Sequence, residues 1–442
     1  MVNEQIFFKT GSHIQKCKFR IVAAVFLMAS CLITFSGCNI HADTLSVPKY
    51  PQKTAFSDFA ARQKETQSVI FTDRLRDFTY ESASSVLLQN TGGENSLYSP
   101  LSLYISLVVS AAGSNGSTQK EILKALHMED VGIPELVDQT SILFRNHYFD
   151  NEIGQLTIAN SLWINKTFNI KSDFVKNMAE KLYLSSSRVD FSSDSAAEQI
   201  NKWISQNTHG ISDPAVISKN TDLAMVLINA VQFNDEWINS FDSKKTKTDN
   251  FHLPDGSSIQ ADFMNAEVTK TFIKGKDYTS SYLQLKNDCN MVFILPDRGV
   301  SIDRIISDPA LMASAADLFH PESRQMGEVA FHIPKFEFNA KIDLKNTLSK
   351  LGMVSVFDKA AADFSTISDK TPLYISELIQ SSSISINEKG CKASSFTKTD
   401  YSTLGKSSEQ IEMTLDRPFV FIIAGNDNIP VFIGKVENPL NK

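Results

Sequence analysis

"NEKGCKASSFTKTDYSTLGKSSEQ", residues 387–410, is a long polar segment between two strand-like runs, "PLYISELIQSSSISI" (372–386) and "IEMTLDRPFVFIIAG" (411–425). It reaches a glycine at position 390 and then alternates small with large side chains. An extended chain sends successive side chains to opposite faces. One face would carry Cys391, Ala393, Ser395, Thr397 and Thr399, and the other Lys392, Ser394, Phe396, Lys398 and Asp400. The first set is uniformly small, as a strand squeezed between two others over a packed core requires; the second is what a solvent face tolerates. Taken without its alternation the segment is a flexible loop, and taken with it a strand held in reserve.

The elements around it describe a mixed fold. "PLSLYISLVVSAAGSNGS" (100–117) has helical period, with Ser99 as N-cap, Pro100 in the first turn and an end at Gly113. "STQKEILKALHM" (117–128) follows with a capping-box pattern of Ser117, Thr118 and Glu121. The middle of the chain switches to strands, among them "QLTIANSLWIN" (155–165), "AMVLINAVQF" (224–233) and "MVFILP" (291–296); the last two are nearly continuous apolar runs, as strands buried on both faces are. A further helix, "KIDLKNTLSKLGM" (341–353), closes on Gly352 before the final strands. With 42% hydrophobic and 21% charged residues, no internal repeat and no linker-like composition shift, the bulk of the chain reads as one large soluble domain.

The N-terminus differs in kind. Lys16, Lys18 and Arg20 precede the apolar run "IVAAVFLMASCLITF" (21–35), which ends in Ser36, Gly37 and Cys38. A basic flank, an apolar run of this length and small residues are the layout of a signal peptide, and the run is short for a spanning helix. The small residues before Cys38 resemble the bacterial lipobox, in which the cysteine is acylated, although Phe35 stands where leucine is usual. Lipid on Cys38 is the first expectation, cleavage without lipid the second and an uncleaved single-span anchor the third. Residues 1–37 are thus expected to be a lipoprotein-type signal peptide, 38–62 a polar tether, and 63–442 the folded domain, exported and held at the cell envelope or secreted. Once the leader is gone, Cys289 and Cys391 are the free thiols, one in a strand and one in the polar segment, so no structural disulfide is expected.

Enzyme patterns are sought and fail. Gly405, Lys406 and Ser407 form the tail of a phosphate-binding loop, but Asp400 stands where its first glycine belongs. Ser395 and Lys398 make an S-x-x-K pair in a polar loop without companion motifs. There is no G-x-S-x-G and no H-E-x-x-H, and the eight histidines lack metal-ligand spacing. A net charge of −7 without like-charge runs argues against a nucleic-acid partner. Neither cofactor nor metal is expected, and the protein does not read as an enzyme.

Motifs spread over the whole domain resemble the serpins. "NSLYSPLSLYISLVVSAAGSNGSTQKEILKAL" (95–126) resembles the family's second helix and following turn, and "LTIANSLWINKTFNIKSDFVKNMAEKLY" (156–183) the second strand of its main sheet with the next helix. "INKWISQNTHG" (200–210) and "LINAVQFNDEWINSF" (227–241) are similar to two further signatures, with Asp235 or Glu236 where glycine or lysine is usual. "IPKFEF", "LSKLGMVSVF", "ADFST", "LYISELIQ", "DRPFVFII" and "FIGKVENP" follow in the family's order. Any one motif is weak evidence, whereas this many in sequence are specific.

The resemblance implies an α+β fold of three β-sheets and about nine helices, with residues 387–410 as an exposed reactive loop. It implies a monomeric suicide-substrate inhibitor of serine and cysteine endopeptidases: the target cleaves the loop, which inserts into the main sheet before the acyl-enzyme hydrolyses. The hinge would comprise Glu388, Gly390, Cys391 and Ala393, with Cys391 an exposed thiol in the family's threonine or serine position. Sixteen residues on from Glu388 is Leu404, with Gly405 after the cut; because the loop is longer than usual, Tyr401, Lys406 and Ser407 are alternatives. Leu404 suits chymotrypsin-, elastase- or papain-like targets and Lys406 trypsin-like ones. Asn95, Ser99, Ser102 and Asn229 match residues beneath the point where the sheet parts, and Trp237 the tryptophan where insertion begins. Gln380 stands where the family often has histidine, and Phe396 interrupts a run usually rich in alanine. The alternative is a non-inhibitory serpin, acting as binding scaffold or as protease substrate.

Overall fold

The computed structural model describes residues 43–89, 93–208, 220, 222–317, 324–391 and 410–441. One sheet contains β1 (Asp43–Ser46), β3 (Phe149–Asp150), β4 (Gln155–Asn165), β5 (Leu184–Val189), β6 (Met225–Glu236), β12 (Phe336–Asp343), β13 (Ile375–Asn387) and β14 (Gly390–Cys391). Its order is β1-β5-β4-β6-β14-β13-β12, with β3 beside β4. The other contains β2 (Ser96–Tyr98), β7 (Lys247–His252), β8 (Ser258–Lys274), β9 (Tyr278–Gln284), β10 (Cys289–Pro296), β11 (Gln325–Pro334), β15 (Gln410–Thr414), β16 (Phe419–Gly425) and β17 (Pro430–Val436). Its order is β15-β11-β8-β9-β10-β16-β17-β2, with β7 beside β8. Among the described residues the strands thus form two hydrogen-bonded networks rather than three, because the 17-residue β8 pairs with β7 and β11 and, at its far end, with β9.

Among the described residues ten α-helices accompany the sheets: α1 (Phe56–Ala60), α2 (Val69–Leu87), α3 (Pro100–Gly113), α4 (Gly116–Ala125), α5 (Ile133–His147), α6 (Ser172–Lys181), α7 (Asp194–Asn207), α8 (Ile302–Ile306), α9 (Pro309–Ala316) and α10 (Lys345–Lys350). The expected α+β architecture is present. α3 is buried on all sides, as a helix apolar all round must be, and it packs against β4 and β6 of one sheet and β17 of the other. Its limits follow the sequence: Ser99 accepts a bond from the Ser102 N–H, Pro100 lies in the first turn and Gly113 ends it. The capping box expected for α4 does not form. The N-cap is Asn115, and Glu121 instead accepts the N–H groups of Val354 and Ser355, so a long-range contact outcompetes the local one.

Two faces of β6 meet different environments. Met225, Leu227, Val231 and Phe233 join the main core, while Val226 and Ile228 join Trp163, Ile200, Ile204 and Ile379 beneath α7. The face assigned to solvent in the alternation argument is therefore covered over the lower half of the strand.

The expected tether is not free from Asp43 onward. β1 pairs antiparallel with β5 and forms the edge of the sheet, Asp43 ion-pairs with Arg188, and Tyr50 stacks against Phe144, Tyr148 and Tyr183. Further along, the Thr54 N–H donates to Asp150 O, Phe59 enters the core against Phe149, and Arg62 donates to the carbonyls of Arg145 and Asn146. Polar composition suggested a solvated chain, but four aromatic rings and an open sheet edge gave it something to bind.

Candidate functional site: a hinge seated in the central sheet

At their lower ends β6 and β13 pair directly, in parallel, from Ile375 opposite Met225 to Ser383 opposite Gln232. At their upper ends β14 lies between them: Gly390 opposes Glu236 and Asn387, and Cys391 opposes Asp235 and Ile386, antiparallel to both neighbours. The start of the polar segment 387–410 is thus already a strand. Cys391, expected as an exposed thiol, is fully buried, and burial pushes its thiol far above its ordinary pKa. A side chain this small fits the wedge between two strands.

Gly390 makes the wedge sterically allowed. A Cβ there would lie 2.2 Å from Asp235 O and 2.7 Å from Glu236 Cα, and its φ of +152° is one that residues with side chains rarely adopt. Gly154 makes a similar close approach from the other side, where an added Cβ would lie 2.2 Å from Asn234 O. The end of β6 is therefore gripped between two glycine backbones.

The turn before the wedge is tied down at several points. Trp237 is 1% exposed; its Nε1–H donates to Asn387 O at 2.9 Å and its N–H to Lys389 O at 3.0 Å. The Phe241 N–H donates to Glu388 O, while the Glu388 carboxylate accepts from Thr246 Oγ1 at 2.8 Å and lies 3.6 Å from Lys335 Nζ. Burial raises the Glu388 pKa, and hydrogen bonds together with Lys335 outweigh it, leaving the group below its usual value. Asp235 is held by the Asn287 N–H (2.9 Å) and Asn287 Nδ2 (2.8 Å), yet burial pushes it up to about 7.

Below the wedge a polar cluster joins the strands to α3. Asn229 Nδ2 donates to Asn160 Oδ1 (2.5 Å) and Ser106 Oγ (2.5 Å), and Ser102 Oγ donates to Asn160 Oδ1 (3.3 Å). Gln380 bonds both backbone groups of Ser99, accepting from N at 2.7 Å and donating to O at 2.8 Å. Asn160, Asn229 and Gln380 are neighbours across β4, β6 and β13, so the cluster spans the place where β6 and β13 would separate.

Of the expected opening residues, Ser99, Ser102 and Asn229 belong to this cluster and Trp237 to the wedge. Asn95 belongs to neither: it clamps the C-terminal turn, accepting from the N–H groups of Glu437 and Asn438 and donating to Asn438 O. Asn160 and Ser106 were missed, although an Asn inside the apolar run of β4 was the available signal. Ala393, Ser395, Thr397 and Thr399, the bond candidates Leu404, Gly405, Tyr401, Lys406 and Ser407, and Cys38 lie outside the described residues. Among the described residues no group of three His, Cys, Asp or Glu side chains is placed to hold a metal.

Comparison with known proteins gives a consistent result. The family model "Serpin (serine protease inhibitor)" matches residues 73–439. The leukocyte elastase inhibitor of Xenopus laevis is 28% identical over 362 residues, covering 79% of this chain and 95% of that protein. The native-state structure of tengpin, a thermophilic serpin, is 30% identical with a TM-score of 0.77, over 85% of this chain and 96% of tengpin. Human thyroxine-binding globulin shares the fold at 24% identity and a TM-score of 0.75, over 84% of this chain and 98% of the globulin.

Proposed function

The chain belongs to the serpin family, whose members are mostly protease inhibitors rather than catalysts, and from that membership we propose that it traps proteases by loop cleavage and insertion. The observation carrying this reading is the seated hinge. Gly390 and Cys391 fix an antiparallel register in which each step along the loop moves one residue back along β6. Extending that register places Ala393 opposite Phe233, Ser395 opposite Val231, Thr397 opposite Asn229, Thr399 opposite Leu227 and Tyr401 opposite Met225. The small set then falls on the face of β6 that carries Leu227, Val231 and Phe233 into the core. Phe396 falls between Ala230 and Ser381, two small residues that oppose each other across β6 and β13.

Insertion replaces one β6–β13 ladder with two. Over about ten residues, at ~1 kcal/mol net per added backbone bond, the gain is on the order of 10 kcal/mol, enough to make insertion effectively irreversible. The uninserted protein is then a kinetically trapped form. Leu404 would arrive three residues beyond Met225, past the lower end of β6, carrying an acylated protease across the molecule. Leu404–Gly405 is the first choice for the cleaved bond, with Tyr401, Lys406 and Ser407 next.

The N-terminal reading stands beside this one: residues 1–37 direct export and Cys38 carries a lipid that holds the inhibitor at a membrane. Mass spectrometry of the native protein tests it, and an unmodified Cys38 refutes it. The inhibitory reading is tested by mixing the domain from residue 41 onward with chymotrypsin, elastase, trypsin and papain. A complex that survives boiling in detergent, with the released C-terminal fragment naming the cut, is the expected result. Loop cleavage with the protease left active would make the protein a substrate or scaffold of serpin fold.

A further inference from the structure

A lysine stands in β8 where the fold places apolar side chains. Alternate residues of a strand share a face, and on the core-facing side of β8 the row runs Met264, Ala266, Val268, Lys270, Phe272. Met264 and Phe272 are fully buried, and Ala266 and Val268 pack against the core. Lys270 is half-buried among them, and its cross-strand neighbour on β11 is Gly327, which has no side chain to cover it. Its ammonium donates to Gln284 Oε1 at 2.8 Å and lies 4.9 Å from the centre of the Tyr282 ring. Burial alone lowers its pKa, because no carboxylate among the described residues pairs with it. A half-buried cation without a counter-ion is a destabilising feature.

The space beside Lys270 arises where two strands part. β8 pairs with β11 from Phe263 to Phe272, but with β9 only from Phe272 to Lys274. The segment after β6 enters the opening: Trp237 bridges to Leu285, and the Ile238 N–H donates to Gln284 O at 3.0 Å. Between this segment, β8 and the end of β9 a cleft of about 260 Å³ remains. Ile238, Phe241, Val268 and Leu283 give it apolar walls, while Lys270 and Gln284 bring polar groups to it. The other charged residues around it, Asp242, Lys245 and Glu267, are exposed.

We propose that this cleft binds a small organic carboxylate, with the charged end on Lys270 and the apolar body against Ile238, Val268 and Leu283. The volume holds about nine waters at ~30 Å³ each, and so an organic molecule of about ten non-hydrogen atoms, the size of a medium-chain fatty acid. A carboxylate supplies the counter-ion that Lys270 lacks and accepts a charge-assisted hydrogen bond from it. The chain of such a ligand displaces water from the apolar walls. A cationic analogue meets repulsion at Lys270, and a neutral one leaves the ammonium uncompensated. The reading does not depend on loop cleavage or insertion.

Octanoate is the probe, with 1-octanol and octylammonium as its neutral and cationic counterparts, each titrated calorimetrically into the domain from residue 41 onward. Octanoate is expected to bind one-to-one, octanol about tenfold more weakly or worse, and octylammonium not at all. Lys270→Met is expected to weaken octanoate binding about tenfold or more. Without ligand that variant should melt no lower than the wild type, since it removes a half-buried charge. Lys270→Arg should keep binding, and Lys245→Met, at an exposed position, should leave it unchanged. Acetylation by an N-hydroxysuccinimide ester, read by mass spectrometry, locates the ligand in the wild type: octanoate should protect the Lys270 amine and not that of Lys245. If Lys270→Met does not fold, this protection decides the matter. No binding of octanoate, equal binding of octanoate and octanol, undiminished binding by Lys270→Met, or an unprotected Lys270 would each overturn the proposal.

Discussion

Replacing Gly390 with alanine separates seating of the hinge from stability of the body. The added Cβ lies 2.2 Å from Asp235 O, 2.7 Å from Glu236 Cα and 3.0 Å from Trp237 N, all backbone atoms that cannot swing aside. Residue 390 must leave the wedge, and Cys391 with it. The body loses the bonds of four register pairs, two to four bonds at ~1 kcal/mol each, and regains ~1–2 kcal/mol of chain entropy for each of two freed residues. These nearly cancel, so the melting temperature of the intact protein is expected to move little.

Insertion, by contrast, must hold residue 390 in that same place. Overpacking costs ~1–3 kcal/mol and the disfavoured backbone ~1–3 kcal/mol; a combined ~4 kcal/mol slows insertion about a thousandfold. The domain from residue 41 onward contains two cysteines, Cys289 and Cys391, both buried. The wild type should therefore be silent to a thiol reagent under native conditions, whereas Gly390→Ala should release one thiol equivalent at Cys391. The same variant should be cleaved by the target protease without forming a boiling-resistant complex. A variant that stays silent and traps protease at the wild-type ratio would refute both the steric argument and the role of the wedge.

Three further outcomes follow from the same geometry. Asp235 has a folded-state pKa raised to about 7 by burial; its proton is held more tightly folded than unfolded, so its contribution is most favourable below pH ~4 and is lost as pH rises through 7. Relative to Asp235→Asn, denaturant stability of the wild type should fall over that window by up to ~4 kcal/mol and not beyond it. Gln380→Ala leaves both backbone groups of Ser99 without these partners, so urea titration of the intact protein should show a loss of ~2–3 kcal/mol. Tyr50→Ala removes a ring stacked on three others and should cost ~2–4 kcal/mol by the same titration, where a free tether would show no change.

Much of the domain is legible in the chain itself. β4, β6 and α3 carry their own limits in period, capping and apolar content, because their burial is decided by residues within each element. Alternation in the segment after Gly390 is equally local, since a strand's two faces are fixed by the parity of its residues. So is the polar Asn within the apolar run of β4, which signals a partner without identifying it.

Tertiary structure decided the rest, wherever a residue's state depends on a neighbour distant in sequence. Cys391 is buried because Asp235 and Ile386 flank it, Asn95 serves the C-terminal turn because Asn438 lies beside it, and residues 43–62 are held by rings and strand edges more than eighty residues away. Which residues of β6 and β13 flank Gly390 and Cys391 depends on the register of β14, which no local pattern contains. Sequence thus determined which residues suit a strand between strands; only the assembled sheet fixed where that strand begins and what it would meet.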